Sequence, residues 1–225
     1  LLKLLYYPFL SATNAFGPRQ FAYTTGRGAR DALAVLLLTW VCELADGKRI
    51  AVYCSDVSGA FDRVRTSRLV AKLKQKRLHP QIVAVLTSWL QRRWAQIVVA
   101  GTLSDKMTLS DMVYQGTVTG PILWNLFFED ARHAINDCFF TEVVYADDLN
   151  AYRVFPKTAK NCDMMRSLDN CQQELHKWGV ANQVCFDAAK ESQHVISISE
   201  PSGNNFRLLG VPFDPELSMV DAVSE

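Results

Sequence analysis

Two acids, Asp147 and Asp148, stand side by side in EVVYADDLNAYRV, between arms rich in β-branched and aromatic residues. Val143, Val144 and Tyr145 on one side, with Leu149, Ala151, Tyr152 and Val154 on the other, read as a hairpin whose turn is the acidic pair itself. Carboxylates in such a turn repel each other and are costly unless water or a cation neutralises them. Taken alone, the pair reads as a solvated turn, because aspartate is a common turn former. A third acid changes the weight. RIAVYCSD reads as a short buried strand with Asp56 at its C-terminal end. Carboxylates facing each other from strand ends suit Mg²⁺, a hard ion that takes a few carboxylate oxygens and keeps positions open for phosphate and water. Two such ions a few Å apart activate an attacking hydroxyl and stabilise a leaving pyrophosphate.

The elements around these acids follow from periodicity and punctuation. Arg30 to Ala45 reads as a largely apolar helix closed by the turn ADGK, ahead of the strand that ends at Asp56. SRLVAKLKQKRL and HPQIVAVLTSWLQRR read as helices, the second opened by Pro80. WAQIVVAG and KMTLSDMVY read as a hairpin, and GPILWNLFFEDARHAINDCF as one long helix opened by Gly120 and Pro121. After the acidic hairpin, Asn161 to Trp178 reads as an amphipathic helix with Gly179 as its C-cap, QHVISIS as a strand and FRLLGVPF as a last strand. Without the inserted pieces the order is strand, helix, two hairpin strands, helix, strand, the β-α-β-β-α-β ferredoxin-like order. In that sheet the first and third strands lie side by side, which lets Asp56 face Asp147.

At 225 residues and 49% hydrophobic content the chain can bury a substantial core, which excludes collagen-like, disordered and coiled-coil classes. A net charge of +1 neither demands nor forbids a polyanionic partner, but its distribution is uneven. Residues 1–30 carry Lys3, Arg19, Arg27 and Arg30 with no acid, and residues 63–77 carry seven Lys or Arg with no acid. After position 199, Glu200, Asp214, Glu216, Asp221 and Glu225 oppose Arg207 alone. The six cysteines form no C-x-x-C pair and the four histidines show no ligand spacing, which points to free thiols in a reducing, intracellular compartment rather than a zinc site. ALAVLLLTWVCELA is too short to span a bilayer, and Asp31 and Glu43 suit a buried helix, so no membrane partner is expected. LLKLLYYPFL has no initiating Met and is broken by Pro8, so it reads as the interior of a longer protein rather than a signal peptide.

SDVSGAFD, QGTVTGPILWNLF and YADD, in that order and spacing, resemble motifs A, B and C of reverse transcriptases, those of non-LTR retrotransposons in particular. QFAYTTGRGARDAL is similar to the fingers segment before motif A, HKWGVANQVCFDAAKES to motif D, and FRLLGVPF to motif E at the primer grip, so the resemblance covers nearly the whole chain. It implies an α+β fold: a ferredoxin-like polymerase palm, an antiparallel sheet with helices on one face, plus a partial, mainly helical fingers region. The expected divisions are partial fingers over 1–48, palm with inserted fingers elements over 49–200, and motif E over 201–225 with the thumb absent. The implied activity is RNA-directed DNA polymerisation, a nucleotidyl transfer onto a primer 3′-hydroxyl with two Mg²⁺, or Mn²⁺ in their place. The implied partners are an RNA template, a DNA primer, deoxynucleoside triphosphates and the rest of a parent polyprotein with fingertips, thumb and an endonuclease. A non-LTR element implies a nuclear setting.

Carried over residue by residue, the resemblance implies metal binding by Asp56, Asp147, Asp148 and the Val57 carbonyl. Adjacent strand residues point to opposite faces, so only the turn brings both Asp147 and Asp148 inward. Phe61 stands at the steric-gate position, where a ring crowds a ribose 2′-hydroxyl; its alternative is core packing. Gln115 and Gly116 match the pair that lies along the incoming nucleotide, and Lys190 falls where motif D places a general acid near pyrophosphate. The family commonly has Ser where this chain has Gly120. Arg68, Lys72 and Lys76 lie at i, i+4, i+8 on one helix line, unrelieved by acids, and with Arg27 and Arg30 are candidate phosphate contacts; a solvated helix face is the alternative. The rival function is a non-catalytic remnant or domesticated domain that binds nucleic acid or protein, against which the retention of costly acids speaks.

Overall fold

The computed structural model describes residues 2–91, 93–109 and 111–220. The chain opens with α1 (Leu2–Ala12), α2 (Ala29–Ala45) and β1 (Arg49–Ser55), then a 3₁₀ turn (Ala60–Arg63), α3 (Thr66–Gln75) and α4 (Pro80–Leu90). The short strands β2 (Arg93–Ala95), β3 (Val98–Val99), β4 (Thr102–Leu103) and β5 (Met107–Leu109) follow, then α5 (Gly120–Phe128) and α6 (Ala131–Asp137). The last third holds β6 (Thr141–Tyr145), β7 (Asp148–Phe155), α7 (Asn161–Asn182), β8 (Ser192–Ile196), β9 (Phe206–Leu208) and β10 (Val211–Phe213).

These elements form two compact units. The sheet unit comprises Arg19–Ser58, Asp130–Ala181 and Cys185–Glu225; the helical unit comprises Leu1–Pro18, Gly59–Glu129 and Asn182–Val184. They cut the chain differently from the expected boundaries: residues 19–48, read as fingers, belong with the sheet.

In the sheet unit the strand order is β6-β7-β1-β8, antiparallel throughout, the ferredoxin-like arrangement with the first and third strands of the motif paired. Every residue of β1 is buried, which is why it reads as an unbroken apolar run rather than an alternating one. Ile50, Val52 and Cys54 pack with the α2 stripe Ala32, Leu36, Trp40 and Leu44, and Trp40 meets Tyr152 of β7 edge-on at 6.3 Å. The opposite face meets α7, where Arg153, opposite Ala51, donates to Ser167 Oγ at 3.1 Å. Helices therefore cover both faces, a correction to the single covered face expected. The outer side of α2 leaves Val35, Leu38 and Val41 exposed, so that helix is buried on one stripe and not all round.

The helical unit packs α3 with α4 and α5, and α5 with the 3₁₀ turn; Pro8 lies inside α1, flanked by buried Tyr6 and Leu10. The hairpin anticipated between α4 and α5 forms in two pieces, β2 with β5 and β3 with β4.

Three further expectations differ. The long helix breaks at Glu129–Asp130 because its two halves bury different surfaces: α5 is buried on nearly every side, whereas α6 buries only Ala131 and Ile135. The residues at the break are held separately, Glu129 by Lys76 within the helical unit at 2.7 Å and Asp130 by Trp178 Nε1 within the sheet unit at 2.9 Å. Helix α7 runs through Gly179 and stops where Gln183 takes a left-handed conformation (φ 61). The last strand is a hairpin, β9 and β10, turning at Leu209 and Gly210.

Candidate active site

The acids meet through strand register. β1 pairs with β7 up to Ser55 opposite Leu149; continued by one step, that register would set Asp56 opposite Asp148, on the face of Cys54 and Asn150, and both acids line the same cavity. The β6–β7 hairpin closes Tyr145 onto Asp148, so the turn is Ala146–Asp147 and Asp148 is the first strand residue. This corrects the reading of the acidic pair as the turn. A two-residue turn needs a positive φ, and Ala146 supplies it at 60°.

An alanine in that conformation requires support, and Gln20 gives it. Buried Gln20 accepts from the Ala146 and Ala22 amides through Oε1, each at 3.0 Å, and donates from Nε2 to the Ala146 carbonyl at 3.3 Å. Its backbone neighbours extend the sheet beside β6, with Phe21 N–H donating to the Val144 carbonyl and Val144 N–H to the Arg19 carbonyl. Gln20 had no role in the motif reading. Its only sequence signal is a lone amide in the otherwise apolar QFAY. Tyr23 was also missed; burial raises its phenol, with Asp147 adding to the shift.

Asp147 and Asp148 both sense Asp56. Asp148 is pushed up to about 6 by burial, then by Asp56 and Asp147, against the opposing effect of Lys190. Burial likewise raises Asp147, with Asp56 adding to it against a local backbone hydrogen bond and Lys190. Lys190 Nζ lies 2.5 Å from Asp56 Oδ2, a contact that holds the ammonium above its ordinary range. Asp56, Asp148, Lys190, His194, Asn205 and Arg207 line a cavity of about 650 Å³ in the sheet unit. Val57 is buried and forms an isolated bridge to Phe186 whose two hydrogen bonds run from Ser58 N–H to Cys185 and from Asp187 N–H to Asp56, so neither uses the Val57 carbonyl. Among the described residues, no group of three or more His, Cys, Asp or Glu side chains is arranged as it stands to hold a metal ion.

The other expected site residues lie in the helical unit or at the sheet unit's surface. Half-buried Phe61 stacks on Trp124 with ring centroids 6.0 Å apart, and its carbonyl accepts from Val113 N–H at 2.8 Å. Gln115 and Gly116 are exposed, Gly116 with φ 73. A Cβ on Gly120 would stand 2.6 Å from the Tyr114 carbonyl and 2.9 Å from Thr117 Oγ1, so the serine common at this place does not fit here. Of the basic line, Arg68 is exposed, but Lys72 donates to the Phe127 carbonyl at 2.6 Å and Lys76 pairs with Glu129, so the line is not unrelieved by acids in three dimensions. Arg27 and Arg30 are exposed at the start of α2, with Arg27 donating to the Gln20 carbonyl at 3.3 Å.

Residues 2–213 match the family model described as reverse transcriptase (RNA-dependent DNA polymerase). The chain belongs to the reverse transcriptase family. It is 27% identical over 184 residues to the RNA-directed DNA polymerase from mobile element jockey of Drosophila funebris, covering 79% of this chain and 20% of that protein. The counterpart from Drosophila melanogaster is 27% identical over 175 residues, covering 75% and 19%. The chain thus spans about a fifth of the length of these relatives. Among solved structures, apo telomerase from Candida tropicalis superposes with a TM-score of 0.66 at 12% identity, covering 97% of this chain and 43% of that one. Telomerase from Candida albicans, in complex with a telomeric RNA fragment, gives 0.64 at 14% identity, covering 96% and 36%. At such identities the likeness carries the fold, and the reverse transcriptase palm is that fold.

Proposed function

We propose that this chain is the catalytic core of an RNA-directed DNA polymerase from a non-LTR retroelement, extending a DNA primer on an RNA template with deoxynucleoside triphosphates. The observation that carries the reading is the approach of Asp56 to Asp147 and Asp148 at adjoining strand ends, close enough that Asp56 adds to the raised proton affinity of both, and Asp147 to that of Asp148. Burial and mutual repulsion leave negative charge unmet by the Lys190 contact alone, and the donors are hard oxygens. That donor set fits Mg²⁺, with Mn²⁺ as its substitute, because such ions draw remaining ligands from phosphate and water rather than from a closed protein cage. Asp56, Asp147, Asp148 and the Val57 carbonyl would hold the ions. When bound, the ions supply Lewis-acid activation of the primer hydroxyl and stabilisation of the leaving pyrophosphate.

The chain's own residues supply the rest. Lys190 keeps its proton on Nζ and is a donor of the right charge for departing pyrophosphate. Phe61 is the candidate steric gate, with a ring large enough to crowd a ribose 2′-hydroxyl, and Gly116 carries no Cβ to keep a base pair away. Arg27, Arg30 and Arg68 are exposed cations suited to phosphate; Lys72 and Lys76 would have to leave their present partners to join them. The free thiols Cys54, Cys138 and Cys171 are buried, as suits a reducing compartment within the cell, the nucleus for such an element.

The test is primer extension on an RNA template in Mg²⁺ by a parent polypeptide that carries the flanking fingertip and thumb segments. Extension by that parent, with residues 1–225 alone nearly inactive, is the expected result, because positioning supplies much of the rate in phosphoryl transfer. A folded, primer-binding parent that adds no nucleotide would overturn the proposal.

A further inference from the structure

Behind Lys190 sits a polar cluster that no motif accounts for. Glu191, the next residue, turns its side chain inward, where it is only 6% exposed. Its Oε1 accepts from His176 Nε2 of α7 at 2.7 Å and from the hydroxyl of Tyr53 in β1, itself fully buried. His176 lies flat on Phe186, ring centroids 5.3 Å apart and planes 4° apart. Phe186 is the bridge partner of Val57, and the bonds beside that bridge tie Cys185 to Ser58 and Asp187 to Asp56. The Lys190 and Glu191 amides both donate back to the Asp187 carbonyl, closing the segment into one tight turn.

Segment 185–191 is thus held at both ends: by backbone hydrogen bonds to the strand end that carries Asp56, and by Glu191 to a helix and to the interior of β1. A buried carboxylate with two donors is a strong and directional tie, and removing it strands the buried Tyr53 hydroxyl and frees His176. We propose that Glu191, anchored by His176 and Tyr53, is the positioning residue that fixes the Lys190 loop against Asp56. This rests on the reading of Lys190 as the motif D proton donor. It adds that the lysine's reach is set by a network opening into the palm interior, and not by the loop alone.

The experiment uses the 225-residue chain and needs no catalysis. Two readouts are followed by NMR: exchange of the Ser58 and Asp187 amides, and the Lys190 side-chain Cε–Nζ signal, assigned through Lys190→Arg. In Glu191→Ala both amides are expected to exchange at least about tenfold faster, and the Lys190 signal is expected to move to that of a solvated lysine, while the Ile50 and Val52 amides keep their protection. Glu191→Gln, which retains an acceptor for both donors, is expected to restore both readouts, which a purely space-filling role would not require. Wild-type exchange and an unmoved Lys190 signal in folded Glu191→Ala would overturn the proposal, as would a Gln variant as loose as Ala. If Glu191→Ala does not fold, His176→Ala, whose side chain is 44% exposed, is read the same way, and unchanged readouts there overturn it. Failure here leaves the polymerase reading standing, and a failed extension assay leaves these readouts intact.

Discussion

Gln20→Ala is the perturbation that most sharply separates a turn held from outside from one that folds by itself. The substitution removes the acceptor of the Ala146 and Ala22 amides and the donor to the Ala146 carbonyl, and water has little access to a residue 5% exposed. At about 1 kcal/mol for each hydrogen bond, and more for each backbone group left buried without a partner, the loss is about 3 kcal/mol. For a chain of this size that corresponds to a fall in Tm of roughly 6–12 °C. Because two compact units need not melt together, the loss is best read by hydrogen exchange in urea on the β1 and β7 amides, which share a unit with Gln20. The Ala146 amide is expected to lose protection first, since it trades a side-chain acceptor for none, and Gln20→Glu should recover the two accepting bonds while setting a charge beside Asp147. A loss under about 1 kcal/mol with Ala146 protection intact would refute the claim that this glutamine holds the acidic turn.

Three other outcomes follow from the same geometry. Gly120→Ser should destabilise the helical unit by about 2 kcal/mol in chemical denaturation, since its Cβ would overlap the Tyr114 carbonyl and Thr117; a neutral result would show that the backbone there gives way. His194, buried and stacked on Phe206 at 3.9 Å, has its pKa lowered by burial to about 4 from 6.5, so its stabilising contribution is complete above pH 6.5 and lost as pH falls toward 4. At 1.36 kcal/mol per pH unit this amounts to about 3 kcal/mol, read as the difference between wild type and His194→Gln so that Asp148, whose raised pKa works in the opposite sense over the same range, cancels; parallel pH–stability curves would contradict it. Phe61→Val in an extended parent should admit ribonucleotides while deoxynucleotide use persists, because it removes a steric block rather than an attraction; unchanged discrimination in primer extension would leave Phe61 as a packing partner of Trp124.

What the sequence made legible is local or periodic. The continuous apolar run of β1, the alternation around the acidic hairpin and the amphipathic period of α7 were enough for the β-α-β-β-α-β order, and that order carries the strand neighbours that bring Asp56 to Asp148. What it hid depends on partners far along the chain. No Gly or Pro marks Glu129–Asp130; the helix breaks there because Lys76 holds one residue and Trp178 the other. Gly179 looked like a cap, yet α7 continues past it, since Val180, Ala181 and Asn182 still take helical form before Gln183 ends the run. Lys72 and Lys76 read as an open basic line because the groups that accept their hydrogen bonds, the Phe127 carbonyl and Glu129, lie more than fifty residues downstream. The acids themselves were visible as chemistry. The glutamine that shapes their turn was not, because its role exists only once residues 20 and 146 are neighbours.

If the carboxylates of Asp56, Asp147 and Asp148 serve divalent-ion chemistry, Asp147→Asn in the extended parent must silence nucleotide addition. The change is nearly isosteric and keeps the Ala146–Asp147 turn, but it removes a charge the ions require. With folding verified by circular dichroism and primer–template binding by fluorescence anisotropy, extension of a DNA primer on RNA is expected to be abolished while fold and binding persist. Extension at the wild-type rate by that folded, primer-bound variant would contradict the assignment.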